Sequence, residues 1–254
     1  DVAAATWAAV GSSGAGSPTA LATTFGSLVS GKHVQVWSID DVEQAALETA
    51  GVAGQLEAVA GDSIMVTTQN AAANKIDWFL RRRLRYRATV RPDPTGTYAT
   101  VVADLELTLD NRAAASGLPP YIIGPDDPRF KAGENYTFLS IYSPLELASA
   151  SIDGQPTELT DQREHNRQVY STFLLLQPLS ETTVHLELAG RIALDNGVLT
   201  LDVIRQGLLW PDDVDIDIEL GSGWSFADGR TARQVSGQPS GDLRIQEPLR
   251  PSPS

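Results

Sequence analysis

Residues Trp78–Leu109 read WFLRRRLRYRATVRPDPTGTYATVVADLELTL, and the alternation in this stretch decides the fold class. In Trp78–Val90 the even positions Trp78, Leu80, Leu84, Tyr86, Ala88 and Val90 are apolar, with Arg82 the exception. The odd positions Arg81, Arg83, Arg85 and Arg87 are all cationic. A period of two belongs to a strand with one face buried, because successive side chains of an extended backbone point to opposite sides. Past Pro92–Gly96 the parity reverses: Val101, Ala103, Leu105, Leu107 and Leu109 are apolar, while Asp104 and Glu106 are acidic. Pro, Asp and Gly supply turn chemistry between the two runs, which therefore form a hairpin. Its apolar faces coincide only if paired residue numbers sum to an odd value, near 187 or 189. That register sets Arg83 or Arg85 opposite Asp104, and Arg81 or Arg83 opposite Glu106, in cross-strand pairs worth about 0.2–1 kcal/mol each. Four arginines then face two acids, leaving a basic stripe on the sheet.

The same alternation recurs outward from this hairpin. Further runs of this kind are Tyr136–Tyr142, Val169–Gln177, Thr182–Leu188, Val198–Arg205 and Val214–Leu220, separated by Pro, Gly, Asn and Asp. With the hairpin, whose first strand is read from Ile76, they predict an antiparallel β-sandwich, Ig-like in character, over residues 75–235. Leu118–Gly133 and Ser143–Asn166 are long connections of functional length. Residues 236–254, rich in Gly, Pro and Ser, read as an extended tail.

Upstream, residues 1–74 read as an α/β segment. Val2–Val10 has a helical pattern and Gly11–Gly16 a hinge composition. Ser17–Pro18 is a cap with Pro at the first helical position. Leu21, Phe25, Leu28 and Val29 keep helical spacing up to Gly31. Val34–Ile39 reads as a strand around Trp37. Asp40 caps a further helix with Glu43 three residues on, and Ser63–Thr68 is a second strand. Helix–strand–helix–strand suggests the end of an α/β domain completed upstream or by a partner fragment of the same polypeptide. The expected fold class is thus α+β: a partial α/β segment followed by the sandwich.

Composition narrows the function. The 254 residues carry 19 Lys+Arg against 32 Asp+Glu, a formal net charge of −13, which excludes a sequence-blind nucleic-acid binder. No cysteine is present, so disulfides, thiol nucleophiles, zinc fingers and iron–sulfur clusters are excluded. Three scattered histidines, His33, His165 and His185, give no metal-ligand spacing, and no cofactor fingerprint occurs. No apolar run is long enough to span a bilayer. Membrane contact is expected only through a segment outside this chain.

Few residues point to chemistry. Guanidinium groups bind phosphate and carboxylate bidentately, so Arg81, Arg83, Arg85 and Arg87, with Lys75, are candidates for an anionic glycan or lipid headgroup. The other reading is a solvated strand face balanced by neighbouring acids. Asp212–Glu219 alternates acids with β-branched residues, which makes an exposed strand face rather than a calcium loop. Asp126–Asp127, with Asp153 and Glu134, could supply the carboxylate pair of a glycosidase, though Pro-Asp-Asp-Pro is equally good turn sequence. No Ser–His pattern or nucleophile elbow is present. Catalytic residues are therefore unknown. Asn70 and Asp77 read as a structural corner, where an Asn side chain satisfies turn backbone groups.

The run Gly31-Lys-His-Val-Gln-Val-Trp37-Ser38, followed by Glu43–Gln44, Asn70, Lys75, Asp77 and Trp78–Leu80, resembles the C-terminal half of the domain of unknown function 4012 family. That family comprises envelope proteins of high-GC Gram-positive bacteria. Tyr121–Pro125 and Gly133–Tyr136 are also similar to its pattern, whereas Ala71–Ala73 stand where the family has glycines. The resemblance implies an extracytoplasmic module anchored through a missing N-terminal segment. It also implies a role near polysaccharide assembly, with an anionic polysaccharide or envelope component as partner. Three expectations follow: a non-catalytic envelope or polysaccharide-binding module, part of a glycopolymer transferase or hydrolase, or a structural subunit completed by another fragment.

Overall fold

The computed structural model describes residues 18–252 other than Glu57, Val59 and Asp126. The expected Val2–Val10 helix, Gly11–Gly16 hinge and Ser17 cap lie outside the described residues, as do Asp126 and the last two residues of the expected tail. The chain divides after Gln55 into two units.

The first unit holds helices α1 (Pro18–Ser30) and α2 (Asp41–Thr49). The end of α1 is closed by the Lys32 and His33 amides, which donate to the Val29 and Leu28 carbonyls at 2.8 Å each. Asp40 caps α2 as its sequence predicts: its carboxylate accepts from the Val42 and Glu43 amides at 2.9 and 3.0 Å. Val34–Ile39, expected as a strand, is not one. The Val36 amide donates to the Val52 carbonyl at 2.9 Å, but no ladder forms, and Val36, Trp37 and Ile39 are exposed. Alternation alone makes no strand where the unit offers no second strand to pair with, so among the described residues this unit has helices and no sheet.

The second unit is built on fourteen strands: β1 (Asp62–Asn70), β2 (Leu80–Pro92), β3 (Tyr98–Asn111), β4 (Asn135–Ser143), β5 (Glu146–Ile152), β6 (Gln155–Pro156), β7 (Thr160–Glu164), β8 (Arg167–Leu176), β9 (Ser180–Ala193), β10 (Val198–Ile204), β11 (Asp213–Leu220), β12 (Trp224–Phe226), β13 (Ala232–Gly237) and β14 (Leu243–Pro251). They form two seven-stranded sheets, ordered β12-β14-β10-β1-β4-β8-β7 and β13-β11-β2-β3-β9-β5-β6. Alternating residues of both sheets, among them Ile64, Val66, Leu84, Leu105, Ile141, Leu186 and Ile216, enter one shared core. Among the polar contacts between the sheets, the Tyr86 hydroxyl donates to the Asp62 carboxylate at 2.5 Å, and the Ser63 amide donates to the same carboxylate at 2.8 Å.

Three expectations change. The sheets are mixed rather than antiparallel throughout, because β1 runs parallel to β10 and β2 parallel to β11. The strand Ser63–Thr68, assigned to the α/β segment, is β1, a central strand of the first sheet, so the division falls after Gln55 rather than at 74/75. The tail is largely β14, hydrogen-bonded to β10 and β12, since Ile245 and Leu249 alternate into the core. Its Gly, Pro and Ser residues fall in two groups, 236–241 and 248–254, on either side of the run Leu243–Glu247.

The β2–β3 hairpin has the expected parity but pairs at a sum of 191, as in Arg85↔Glu106 and Arg87↔Asp104. The turn occupies five residues, Asp93–Thr97, in which the Asp93 carboxylate accepts from the Thr95 and Thr97 amides at 3.1 and 3.2 Å. Pro92 therefore pairs with Ala99, which moves the arginines two or four positions along from the expected sums.

Candidate functional site

β2 does not begin at Ile76. Residues Ile76–Phe79 make a single 3₁₀ turn that enters β2 at Leu80. The turn is anchored by Ile76, fully buried against Ile123 and Ala113. Ile123 belongs to a one-turn helix, α3 (Pro120–Ile123), whose Ile122 carbonyl accepts from the Lys75 amide at 2.9 Å. A row of side-chain amides fixes the approach to the turn. Asn70 accepts from the Ala72 amide at 2.9 Å and donates to the Asn74 side-chain oxygen at 2.7 Å; Asn74 donates to the Glu134 carbonyl at 3.2 Å. Asn135 donates to the Asp77 carboxylate at 3.1 Å. Burial raises the Asp77 pKa, while the Asn135 and Asn70 hydrogen bonds and the nearby Lys75 charge work against the rise. The corner expected at Asn70 and Asp77 is thus a hydrogen-bonded fixture, and its product is Trp78, held with 59% of its surface exposed.

Facing Trp78 is the β10–β11 connection. Gln206 continues β1 beyond its partner strand: its side-chain oxygen accepts from the Thr68 amide at 2.9 Å and its nitrogen donates to the Thr68 carbonyl at 2.9 Å. Asp212, at the other end of the connection, takes Arg82 bidentately at 2.7 and 2.6 Å. Arg82 also donates to Gln206 at 3.0 Å and Thr68 at 3.2 Å. The one odd residue in the apolar parity of β2 is therefore a buried guanidinium, its side chain 2% exposed, whose charge is matched. With both ends tied, Leu208–Trp210 is held above the sheet. The Trp210 indole donates to the Trp78 carbonyl at 2.9 Å and remains 40% exposed.

Between these walls opens a cleft of about 530 Å³, within the range of small-ligand sites. It is lined by Trp78, Trp210, Leu209, Lys75, Asp77 and Gln206, with Arg82 also on its surface. Lys75 lies 5.6 Å from the ring centre of the exposed Tyr121. The Arg81 guanidinium stacks 3.8 Å over the Trp210 ring, and burial followed by the nearby Arg112 charge lowers its pKa. Apolar ring faces beside a few fixed polar groups can hold a ligand that is amphipathic face by face.

The remainder of the basic stripe lies elsewhere. Arg83, Arg85 and Arg87 point from the outer face of the second sheet; Arg85 and Arg87 stand between acids of β3 and of β11, and Arg83 between Thr108 and Asp213. Arg85 pairs with Glu106 at 2.8 Å and Asp215 at 3.5 Å, and Arg87 with Asp217 at 3.6 Å. The stripe and the acidic run are thus neighbouring strands that answer one another. A larger hollow of about 610 Å³ on this face is lined by Arg87, Asp217, Arg230 and Arg233. Its cations are taken up as well, Arg233 by Glu247 at 2.6 Å and Asp228 at 3.2 Å. Of the acids considered for catalysis, Asp127 is bound to Arg129, Asp153 accepts from the Thr183 amide, and Glu134 from the Lys131 amide. Sequence reading misses Trp210 and Gln206 and takes Asp212 as part of an exposed strand face; the signal available is the Trp210–Pro211 pair just ahead of that run.

The chain matches no family model and no curated protein. Among solved structures it is similar to a Legionella pneumophila protein provisionally described as nutrient-binding, at 11% identity over 76% of this chain and 71% of that one, with a TM-score of 0.45. It is also similar to an M1 zinc metallopeptidase of Deinococcus radiodurans, at 14% identity over 62% of this chain and a TM-score of 0.34. A third is leukotriene A4 hydrolase of Saccharomyces cerevisiae, at 8% identity over 70% of this chain and a TM-score of 0.37. The chain spans 39% and 31% of the last two.

Proposed function

We propose that this chain is a non-catalytic saccharide-binding module of a bacterial envelope protein, taking a polysaccharide segment in the cleft between Trp78 and Trp210. The observation that carries this reading is the pair of exposed indoles held in place by buried polar anchors. Large apolar rings are left in solvent at the cost of their hydration, and here two are locked into that position on the walls of one cleft. A sugar ring has an apolar C–H face for the indoles and hydroxyls for Gln206, Asn74 and Lys75. The envelope setting, and anchoring through a segment outside this chain, rest on the sequence resemblance of Gly31–Tyr142.

Binding is favoured over hydrolysis because, among the described residues that line the cleft, Asp77 is the one carboxylate. Glycoside cleavage needs two acids on either side of the scissile bond, and Asp77 is already held by Asn135. Immobilised cell-wall polysaccharides tested against the chain and its Trp78→Ala and Trp210→Ala variants examine the reading. Truncation of an aromatic anchor that costs at least about 1 kcal/mol weakens binding at least about fivefold in each variant. Equal retention of all three proteins on every polymer would contradict it.

A further inference from the structure

Beside the cleft lies a notch of about 170 Å³, lined by Arg81, Arg83, Arg112, Asp110, Asp213 and Pro211. It is continuous with the cleft through Arg82, which lines both, and through the Trp210–Pro211 ridge. On the reading of the cleft as a saccharide site, we propose that the polymer is acidic and that one of its uronate carboxylates sits on Arg81 in this notch.

Arg81 and Arg83 differ from the other arginines of the stripe, since among the described residues neither closes on a carboxylate while Arg85 and Arg87 do, and of the two it is Arg81 whose guanidinium is stacked on Trp210. Arg82, Arg85, Arg87 and Arg112 each close on a carboxylate. Among the described residues Arg81 has no ion-pair partner, and its guanidinium is fixed by other means. One nitrogen donates to the Trp78 and Leu80 carbonyls at 3.3 and 3.1 Å, and the plane rests on Trp210. A guanidinium held this way keeps its second terminal nitrogen and its Nε for an incoming anion, the two-pronged geometry that matches a carboxylate. The ordering entropy of a long cationic side chain is already spent, which favours binding over a free surface arginine.

The notch also sets the charge of the guest. With Arg82 closed on Asp212, Arg81, Arg83 and Arg112 are set against Asp110 and Asp213, a local excess of one positive charge. That balance suits a monoanion such as a uronate; a phosphate dianion would leave the notch negative. The net charge of −13 does not oppose this strongly, because charges more than about 8–10 Å away are screened at physiological salt.

The test is calorimetric titration of the full chain with tetragalacturonate and with its methyl ester, which keeps the sugar rings and removes the charge. The wild type and Arg87→Ala should bind the acid at least about tenfold more tightly than the ester. Arg81→Gln should bind both forms at the affinity of the ester, and Trp78→Ala should weaken both. A preference for the acid that survives in Arg81→Gln overturns the proposal. Equal binding of acid and ester by the wild type also overturns it and leaves the saccharide site standing. Failure of the wild type to bind either form with any dependence on Trp78 sinks both readings. In a competition arm, displacement of tetragalacturonate by inorganic phosphate at lower concentration than by free galacturonate would reassign the notch to phosphate chemistry and count against the proposal.

Discussion

Replacing the carboxyl of Asp62 with an amide should remove a pH-dependent penalty carried by the core. Asp62 is fully buried between the two sheets, where desolvation raises its pKa from 3.8 to about 6 against the opposing effects of its hydrogen bonds from Tyr86 and Ser63. A carboxyl whose pKa is raised by folding stabilises the fold in its protonated form. That contribution is fully present below the unfolded value and is lost as pH rises through about 6. Each pH unit in that window corresponds to about 1.4 kcal/mol. Relative to pH 8, the wild type therefore gains about 1.4 kcal/mol at pH 5 and about 2.4 kcal/mol at pH 4, towards a limit of about 3 kcal/mol. The amide of the Asp62→Asn variant does not titrate, so the stability difference between wild type and variant traces this curve while the other groups cancel. Urea unfolding followed by far-ultraviolet circular dichroism at pH 4, 5, 6, 7 and 8 measures it. A difference curve that stays flat within about 0.5 kcal/mol from pH 8 to pH 4 would refute the assignment of a buried carboxyl with a raised pKa.

Two further perturbations test buried polar fixtures, the first at the cleft. Asp212→Ala leaves the buried Arg82 charge unmatched, which costs about 3–5 kcal/mol; chemical denaturation should show this, with Asp212→Asn losing less because the side-chain oxygen is kept. Asn111 is fully buried and donates to the carbonyls of Gly133, Leu176 and Gln177 at 2.8, 3.1 and 3.0 Å. Gly133 sits at φ +84, where a Cβ would meet the Ala114 carbonyl at 2.8 Å. Asn111→Ala leaves these three acceptors without their donor and should lower unfolding stability by at least about 3 kcal/mol, at roughly 1–3 kcal/mol per orphaned buried group.

The β-rich fold is legible because alternation is local. Seven runs picked out by period two all lie on strands, from β2 and β3 through β4, β8, β9, β10 and β11, with ends shifted by a few residues at most except at the start of β2 and the end of β9. At Ile76–Phe79 the apolar parity continues while the backbone turns. Ile76 is buried by Ile123, a residue of the following long connection, and nothing in the alternation announces that contact. Pairings between distant strands are not legible either, since β1·β10 and β2·β11 are set by packing across the core and not by either strand alone. The expected hairpin register misses by two or four positions because the five-residue turn held by the Asp93 side chain is Asp93–Thr97 and not Pro92–Gly96.

The site is legible in halves. Arg82 stands out as a charge on an apolar face, yet its partner Asp212 lies 130 residues away. Lys75 and Asp77 are marked by the sequence and do line the cleft, whereas Trp78 reads as one of the inward-facing residues of its strand and Trp210 carries no periodic signal. The arginines of β2 and the acids of β11 are each visible alone. Only the parallel pairing of β2 with β11 shows that Arg85 and Arg87 answer those acids and that Arg81 does not.

The most direct measurement is an indole ¹H–¹⁵N spectrum of the chain, which carries five tryptophans, during titration with tetragalacturonate. A saccharide seated in the cleft shifts the Trp78 and Trp210 signals, assigned through their single Phe replacements, and leaves Trp7, Trp37 and Trp224 in place. Saturable binding that moves other indoles, or leaves those of Trp78 and Trp210 unmoved, would contradict the cleft as the binding site.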